Sequence, residues 1–271
     1  MRPYKVILFL GLIIEFLMLG IYLCDLLSSY QSSWQNGGGA SPLRDGDDKY
    51  GLPVMLFTNQ GQIIRHTGFI LSYNSTNHIS NWVMYELTQA EASGNQPREN
   101  RFYTDPMAMG SEVTDADYHL SGWSRGHMAP AADMKWSSKA MLESCYYTNI
   151  CPQNQSLNAG QWRTLEQKVR DWAKKFGSVT VVTGPIVGNN INGSIGPNRV
   201  VVPDAFFKVI ITGSQSIAFV MKNKSENDNL QSCAMSVDSL EELSGIDFFP
   251  ALDDVDEEKI ESTYTLRLWN L

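Results

Sequence analysis

The chain has 271 residues, of which 43% are hydrophobic, 18% charged and 11% aromatic, with a formal net charge of −8. This ordinary globular composition excludes wholesale disorder, a collagen-like chain and a disulfide-dense miniprotein. Net negative charge argues against a protein that coats nucleic acid nonspecifically, but the charge is uneven. Residues 226–261 hold 12 acidic residues against Lys259 alone, while the rest has 20 basic and 17 acidic residues and leaves room for a basic groove.

Residues 6–24 are apolar except for Glu15 and follow Arg2 and Lys5. Nineteen helical residues would span ~28 Å, about the thickness of a bilayer core. Basic residues ahead of the run predict a cytoplasmic N-terminus with the rest exported. The run is longer than a signal-peptide core and no A-x-A site comes after it, which favours an uncleaved anchor over a cleaved signal peptide. The expected organisation is a membrane segment (1–26), a Ser-, Gly- and Asp-rich flexible linker (27–50) and one domain (51–271). The domain would lie outside the cytoplasmic membrane, or be secreted or periplasmic if the N-terminus is cleaved.

Within the domain, short β-type runs at Val54–Phe57, Ile63–Leu71, Trp82–Leu87, Ser178–Thr183, Arg199–Val202, Phe206–Thr212 and Ser216–Met221 are separated by turn residues. In segment 157–176, Trp162, Leu165, Val169, Trp172 and Phe176 form one apolar stripe, so a helix is predicted with Asn158 at its start and Gly177 at its end. Further helices are predicted from Ser236, with Val237, Leu240 and Leu243 inward, and over 252–263. Helices interrupt the strands without strict alternation, which gives an α+β class with a largely antiparallel sheet. Cys145, Cys151 and Cys233 allow at most one intramolecular disulfide, and no Cys/His spacing suits structural zinc.

The segment GWSRGHMAPAADM (122–134) places Arg125, His127 and Asp133 beside Gly and Pro where the chain must bend. A single histidine after glycine is ordinarily a satisfied structural residue, so the motif gains weight only from two blocks downstream. TNICPQ occupies 148–153 and LNAGQWRTLE occupies 157–166. In order and spacing these blocks resemble the DNA/RNA non-specific endonucleases. That family includes the Serratia-type secreted nuclease and mitochondrial endonuclease G, and has a ββα-metal (His-Me finger) active site. The likeness extends to Asn81-Trp82, Arg101–Asp105, Val182–Pro185 and Gly245–Pro250, covering roughly residues 52–265.

The resemblance implies a central antiparallel sheet flanked by helices and a metal-dependent, sugar-nonspecific endonuclease. Its substrates would be DNA and RNA, its products 5′-phosphate ends, and a homodimer is common in the family. Phosphodiester hydrolysis needs a base for water, which an imidazole titrating near neutrality can supply, so His127 takes the general-base role. A hard cation, Mg²⁺ or alternatively Mn²⁺, needs few protein ligands because it keeps most of its waters. The resemblance gives the direct metal ligand as Asn158, with Glu166 holding a metal-bound water. Arg101 and Arg170 are expected on substrate phosphates, Arg125 orienting the loop, and Asn149 orienting either the metal site or the His127 loop. Ser124 stands where many members carry Asp. Together with the acidic stretch, it motivates an alternative: a catalytically impaired, membrane-anchored nucleic-acid-binding module. A delivered antibacterial toxin is a third reading.

Overall fold

The computed structural model describes residues 49–188, 192–213, 215–225 and 229–271, so the segment at 6–24 and most of the linker lie outside the described residues. In chain order the strands are β1 (Val54–Met55), β2 (Gln62–Arg65), β3 (Ile70–Asn74), β4 (Ile79–Thr88), β5 (Ser124–His127), β6 (Ile150–Gln153) and β7 (Ser178–Ile186). Then come β8 (Ser194–Ile195), β9 (Val200–Val201), β10 (Ala205–Thr212), β11 (Gln215–Lys222), β12 (Ala234–Met235) and β13 (Ile246–Asp247). Seven of them form one sheet in the order β12-β11-β10-β7-β4-β3-β2, every pairing antiparallel.

Strand alternation sorts the core onto the two faces of this sheet. On β4, Val83, Tyr85 and Leu87 join one buried cluster while Trp82 and Met84 join the other; on β10, Phe206 and Ile210 part from Phe207, Val209 and Ile211 in the same way. The first face carries the Gln161–Phe176 helix, whose Trp162, Leu165, Val169 and Trp172 are buried as the apolar stripe predicts. The C-terminus latches onto this helix. The Trp172 indole donates to the Trp269 carbonyl at 2.7 Å, and Lys175 to the Leu268 carbonyl at 2.7 Å. The second face carries the Val237–Ser244 and Asp254–Glu261 helices, through Val237, Leu240, Phe248, Phe249 and Ile260.

Several expectations change. The run Ile63–Leu71 is two strands, β2 and β3, because the chain turns at His66–Phe69; there the His66 ring bonds Asp105 at 2.9 Å and the Thr67 amide donates to Glu143 at 2.6 Å. The helix predicted over 157–176 begins earlier, as Gln155–Ala159, and breaks at Gly160. Asn154 caps it, its side chain accepting from the Ser156 and Leu157 amides, so Asn158 sits in a last turn and not at a start. A side chain at position 160 would meet the Ser156 carbonyl, which is why the break falls on a glycine. Leu243 faces solvent. Tyr50, assigned to the linker, is buried against Phe249 with ring centroids 5.5 Å apart. The three domain cysteines are buried and form no disulfide with one another.

Candidate active site

β5 and β6 pair antiparallel in register, Ser124 with Gln153 and His127 with Ile150, and β6 leads directly into the two helices that meet at Gly160. This two-stranded ribbon and the helices after it wall a cleft of about 820 Å³. Five cations line it (Arg98, Arg125, Arg163, Lys168 and Arg170), with two acids (Glu166 and Asp171), His127 and Asn158. The glycine of the Arg-Gly-His motif has a steric reason: a Cβ at Gly126 would collide with the Gln153 side chain across the ribbon.

His127 is 8% exposed, and its Nε2 has no hydrogen-bond partner among the described residues. Burial, assisted by the positive charge of Arg98, lowers its pKa to about 3. Being neutral at pH 7 is the state a base requires. The loop behind it is fixed by Asn149, which is fully buried. The Asn149 Oδ1 accepts from the Ala129 amide at 2.8 Å, and its Nδ2 donates to the Ala129 and Ser144 carbonyls at 2.9 and 2.8 Å. All of these bonds run to the backbone, so Asn149 holds the turn after His127 and does not line the cleft. The carboxamide of Asn158 makes no hydrogen bond among the described residues and is on the cleft wall, so its oxygen is available to a ligand.

Glu166 is half-buried. Desolvation raises its pKa, opposed chiefly by the positive charge of Lys208, and Asp133 pushes it up further. Lys208 lies on the same face of β10 as Phe206, is fully buried, and has its Nζ 4.7 Å from the Trp162 ring centroid. That Nζ has no hydrogen-bond partner among the described residues, and desolvation lowers its pKa. No pattern in the sequence singled out this lysine; an isolated Lys in the apolar run AFFKVIIT is the signal that could have done so. Arg170 pairs with Asp133 and not with Glu166, at 2.7 Å from Nη1 to Oδ1, and Tyr85 donates to the other Asp133 oxygen at 2.8 Å.

Arg125 bonds Asp115 at 2.6 Å and lies over the Phe102 and Tyr118 rings at 5.3 and 5.2 Å, which fixes its direction. Thus His127, Asn158, Glu166, Arg125 and Arg170 share one cleft. Arg101 is exposed and does not line it, whereas Arg98, three residues earlier and unnoticed in the sequence, does. Cys151 is buried without access, and burial pushes its thiol well up, as suits a small core residue.

Residues 51–255 match the sequence model described as DNA/RNA non-specific endonuclease, and the chain belongs to that family. It is 36% identical over 230 residues to the mitochondrial nuclease EXOG of Xenopus laevis, covering 78% of this chain and 63% of that protein. It is 35% identical over 209 residues to the human mitochondrial nuclease EXOG, covering 69% of this chain and 57% of the relative. Against bovine mitochondrial endonuclease G it is 32% identical over 232 residues, covering 79% of this chain and 75% of the relative. The chain therefore spans only about three fifths of the length of the EXOG relatives. Among solved structures, the crystal structure of the EndoG/EndoGI complex aligns with a TM-score of 0.70 and 28% identity, over 83% of this chain and 97% of that one. The fold is that of endonuclease G, a central antiparallel sheet with few helices.

These relatives correct the expected location. They carry mitochondrial names, which overturns the expectation of an exported domain anchored to the cytoplasmic membrane or secreted. Among the described residues, no helix is long and apolar enough to cross a membrane.

Proposed function

We propose that the chain is a divalent-metal-dependent, sugar-nonspecific endonuclease that hydrolyses phosphodiester bonds of DNA and RNA to 5′-phosphate ends. The observation that carries this reading is the cleft itself: a neutral imidazole whose Nε2 has no hydrogen-bond partner among the described residues and the Asn158 carboxamide line one space with five cations. His127 takes the proton of the attacking water. The Asn158 oxygen, with Glu166 beside it, is a fitting donor set for one hard cation, Mg²⁺ or Mn²⁺. Such a cation, when bound, would supply Lewis-acid stabilisation of the pentacovalent phosphate and of the departing 3′ oxygen. Glu166 orients a water through its carboxylate. Arg98, Arg163 and Lys168 attract the phosphates flanking the scissile one, while Arg125 and Arg170, tied to Asp115 and Asp133, present fixed edges to the cleft.

Substitution of Asp by Ser at position 124 leaves Arg125 anchored by Asp115, so the loop keeps a carboxylate partner from another element. The helices of the acidic stretch lie on the opposite face of the sheet from the cleft, so the repulsion that motivated a non-cleaving module is directed away from the substrate. The test is digestion of plasmid and of RNA by the full chain with and without EDTA. Cleavage should vanish with EDTA and fall by about 10²–10⁴-fold in His127→Ala. Full activity in that variant, or indifference to chelation, refutes the mechanism; binding without cleavage across several metals selects the impaired module instead.

A further inference from the structure

The second face of the sheet carries an arrangement that phosphodiester hydrolysis does not use. Asp238 and Glu241 stand three residues apart on the Val237–Ser244 helix, on one side of it, and Glu261 closes the last turn of the Asp254–Glu261 helix. One carboxylate oxygen from each lies within 4.8 Å of the others, and among the described residues this is the group of His, Cys, Asp and Glu whose ligand atoms converge on one point. Two oxygens bound to one Ca²⁺ at ~2.4 Å can be at most ~4.8 Å apart, and every pair in this group meets that limit.

Glu261 gives an independent pointer to a ligand. It is 1% exposed, and its Oε1 has no hydrogen-bond partner among the described residues. No Lys, Arg or His forms an ion pair with any of the three among the described residues. A buried carboxylate is ordinarily paired, hydrogen-bonded or bound to a metal. Glu241 meets part of its need by accepting the Phe248 amide at 2.8 Å; Glu261 has nothing equivalent. Asp247, from β13, adds a further buried and unpartnered oxygen, Oδ1, on the same side. Burial first, then mutual repulsion, pushes Glu261 up to about 8 and Glu241 up to about 7, the cost of crowding these groups without a counter-ion.

We propose that Asp238, Glu241 and Glu261 form a cation site of their own, on the opposite face of the sheet from the cleft, that takes one Ca²⁺-like ion. The ligands are all hard oxygens with neither sulfur nor imidazole, which suits a hard cation such as Ca²⁺, Mg²⁺ or Mn²⁺ better than zinc or copper. Three carboxylates on two helices, completed by water, suit the flexible coordination of Ca²⁺ better than the strict octahedron of Mg²⁺. A bound ion would tie the two helices together over β11 and neutralise part of the acidic stretch. With few protein ligands, its dissociation constant should be about 0.1–1 mM.

The experiment uses the full chain carrying Asn158→Ala, so that the cleft's own ligand is absent, stripped with EDTA and titrated with CaCl₂. Thermal melting and equilibrium dialysis with labelled calcium are read together. One ion should bind per chain, saturably, and the melting temperature should keep rising with the logarithm of Ca²⁺ above the dissociation constant, by about 5 °C or more at a hundred times that constant. Adding Asp238→Asn or Glu261→Gln should each abolish the rise. Glu261→Gln has a second signature that misfolding cannot imitate: in EDTA above pH 8, where Glu261 is ionised, it should melt higher than its parent, because a buried unpaired charge has gone, and it should lose that lead as Ca²⁺ is added. The proposal is overturned if calcium neither binds nor shifts melting, or if both variants shift as much as the parent. Because the readout is binding and melting in a cleavage-defective chain, its failure would leave the reading of the cleft untouched.

Discussion

Lys208→Met separates the electrostatics of the cleft from its packing. Glu166 feels three cations: Lys208, Arg170 and Arg98. Arg98 is exposed and screened by water, and Arg170 is committed to Asp133 at 2.7 Å. Lys208 is fully buried, has no hydrogen-bond partner among the described residues, and is the largest attraction opposing the desolvation of Glu166. A neighbouring opposite charge moves a carboxyl by ~1–3 pKa units. With Arg170 still present, the low end applies, so losing Lys208 should raise the Glu166 pKa by about one further unit, or ~1.4 kcal/mol. Cleavage needs the carboxylate, so activity is lost as pH falls through that pKa. His127, neutral far below this range, cannot set the limb.

The acid limb of kcat/KM should therefore move about one unit to higher pH in Lys208→Met. At the foot of the limb activity should drop about tenfold, with recovery on the alkaline plateau. Stability should hold or rise, because methionine fills a similar volume and removes a buried, unbonded ammonium. The assay is a pH series of cleavage rates on a fluorescent oligonucleotide, with melting of the same samples. An unmoved acid limb, or a uniform loss of rate at every pH accompanied by lower melting, would refute the reasoning.

Arg170→Met should destabilise by about 3–5 kcal/mol, since it breaks the ion pair of buried Asp133 and leaves it the Tyr85 hydroxyl and the unbonded charge of Lys208, and denaturant titration would measure this. Tyr85→Phe should cost only about 1 kcal/mol in the same titration, because the ion pair survives. Asn149→Ala removes three buried bonds to the Ala129–Ser144 frame. It should cost about 3 kcal/mol, seen as a fall of about 10 °C in melting temperature, with the loss of activity exceeding the loss of folded protein. In EDTA, stability should decline between about pH 5 and pH 8. The folded pKa values of Glu241 and Glu261 lie above the usual carboxyl value, so the folded state holds more protons than the unfolded one over this window and loses that advantage as pH rises. Melting temperatures in a pH series would show the slope, and a flat or rising profile would contradict it.

Legibility in the sequence tracked the range of the physics involved. The helix 161–176 was legible because its stripe repeats every turn, and the strands were legible as β-branched runs between turn residues. The Arg-Gly-His ribbon was visible only as a motif, since β5 and β6 are four residues each and too short for periodicity to register. The break at the His66 turn was missed because it depends on distant partners, Asp105 and Glu143, and the one at Gly160 because a clash with the Ser156 carbonyl shows in backbone geometry and not in the apolar pattern. In the cleft, the residues carried by contiguous motifs converge. Arg98 and Lys208 escaped notice because they belong to no local pattern and reach the cleft only through tertiary packing. Leu243 shows the opposite error, an apolar residue at helical spacing that faces solvent in the last turn of its helix.

The sheet also acts as an electrical partition. Five cations line the cleft on one side, and the acidic helices cover the other, so the folded domain is a dipole although the whole chain carries a net charge of −8. A polyanion approaching from behind is repelled, and one approaching in front is drawn in, so encounter turns the domain to face its substrate before any contact forms. An excess of negative charge thus becomes an aid to orientation, effective over about a Debye length, ~8 Å in physiological salt, and weaker as ionic strength rises.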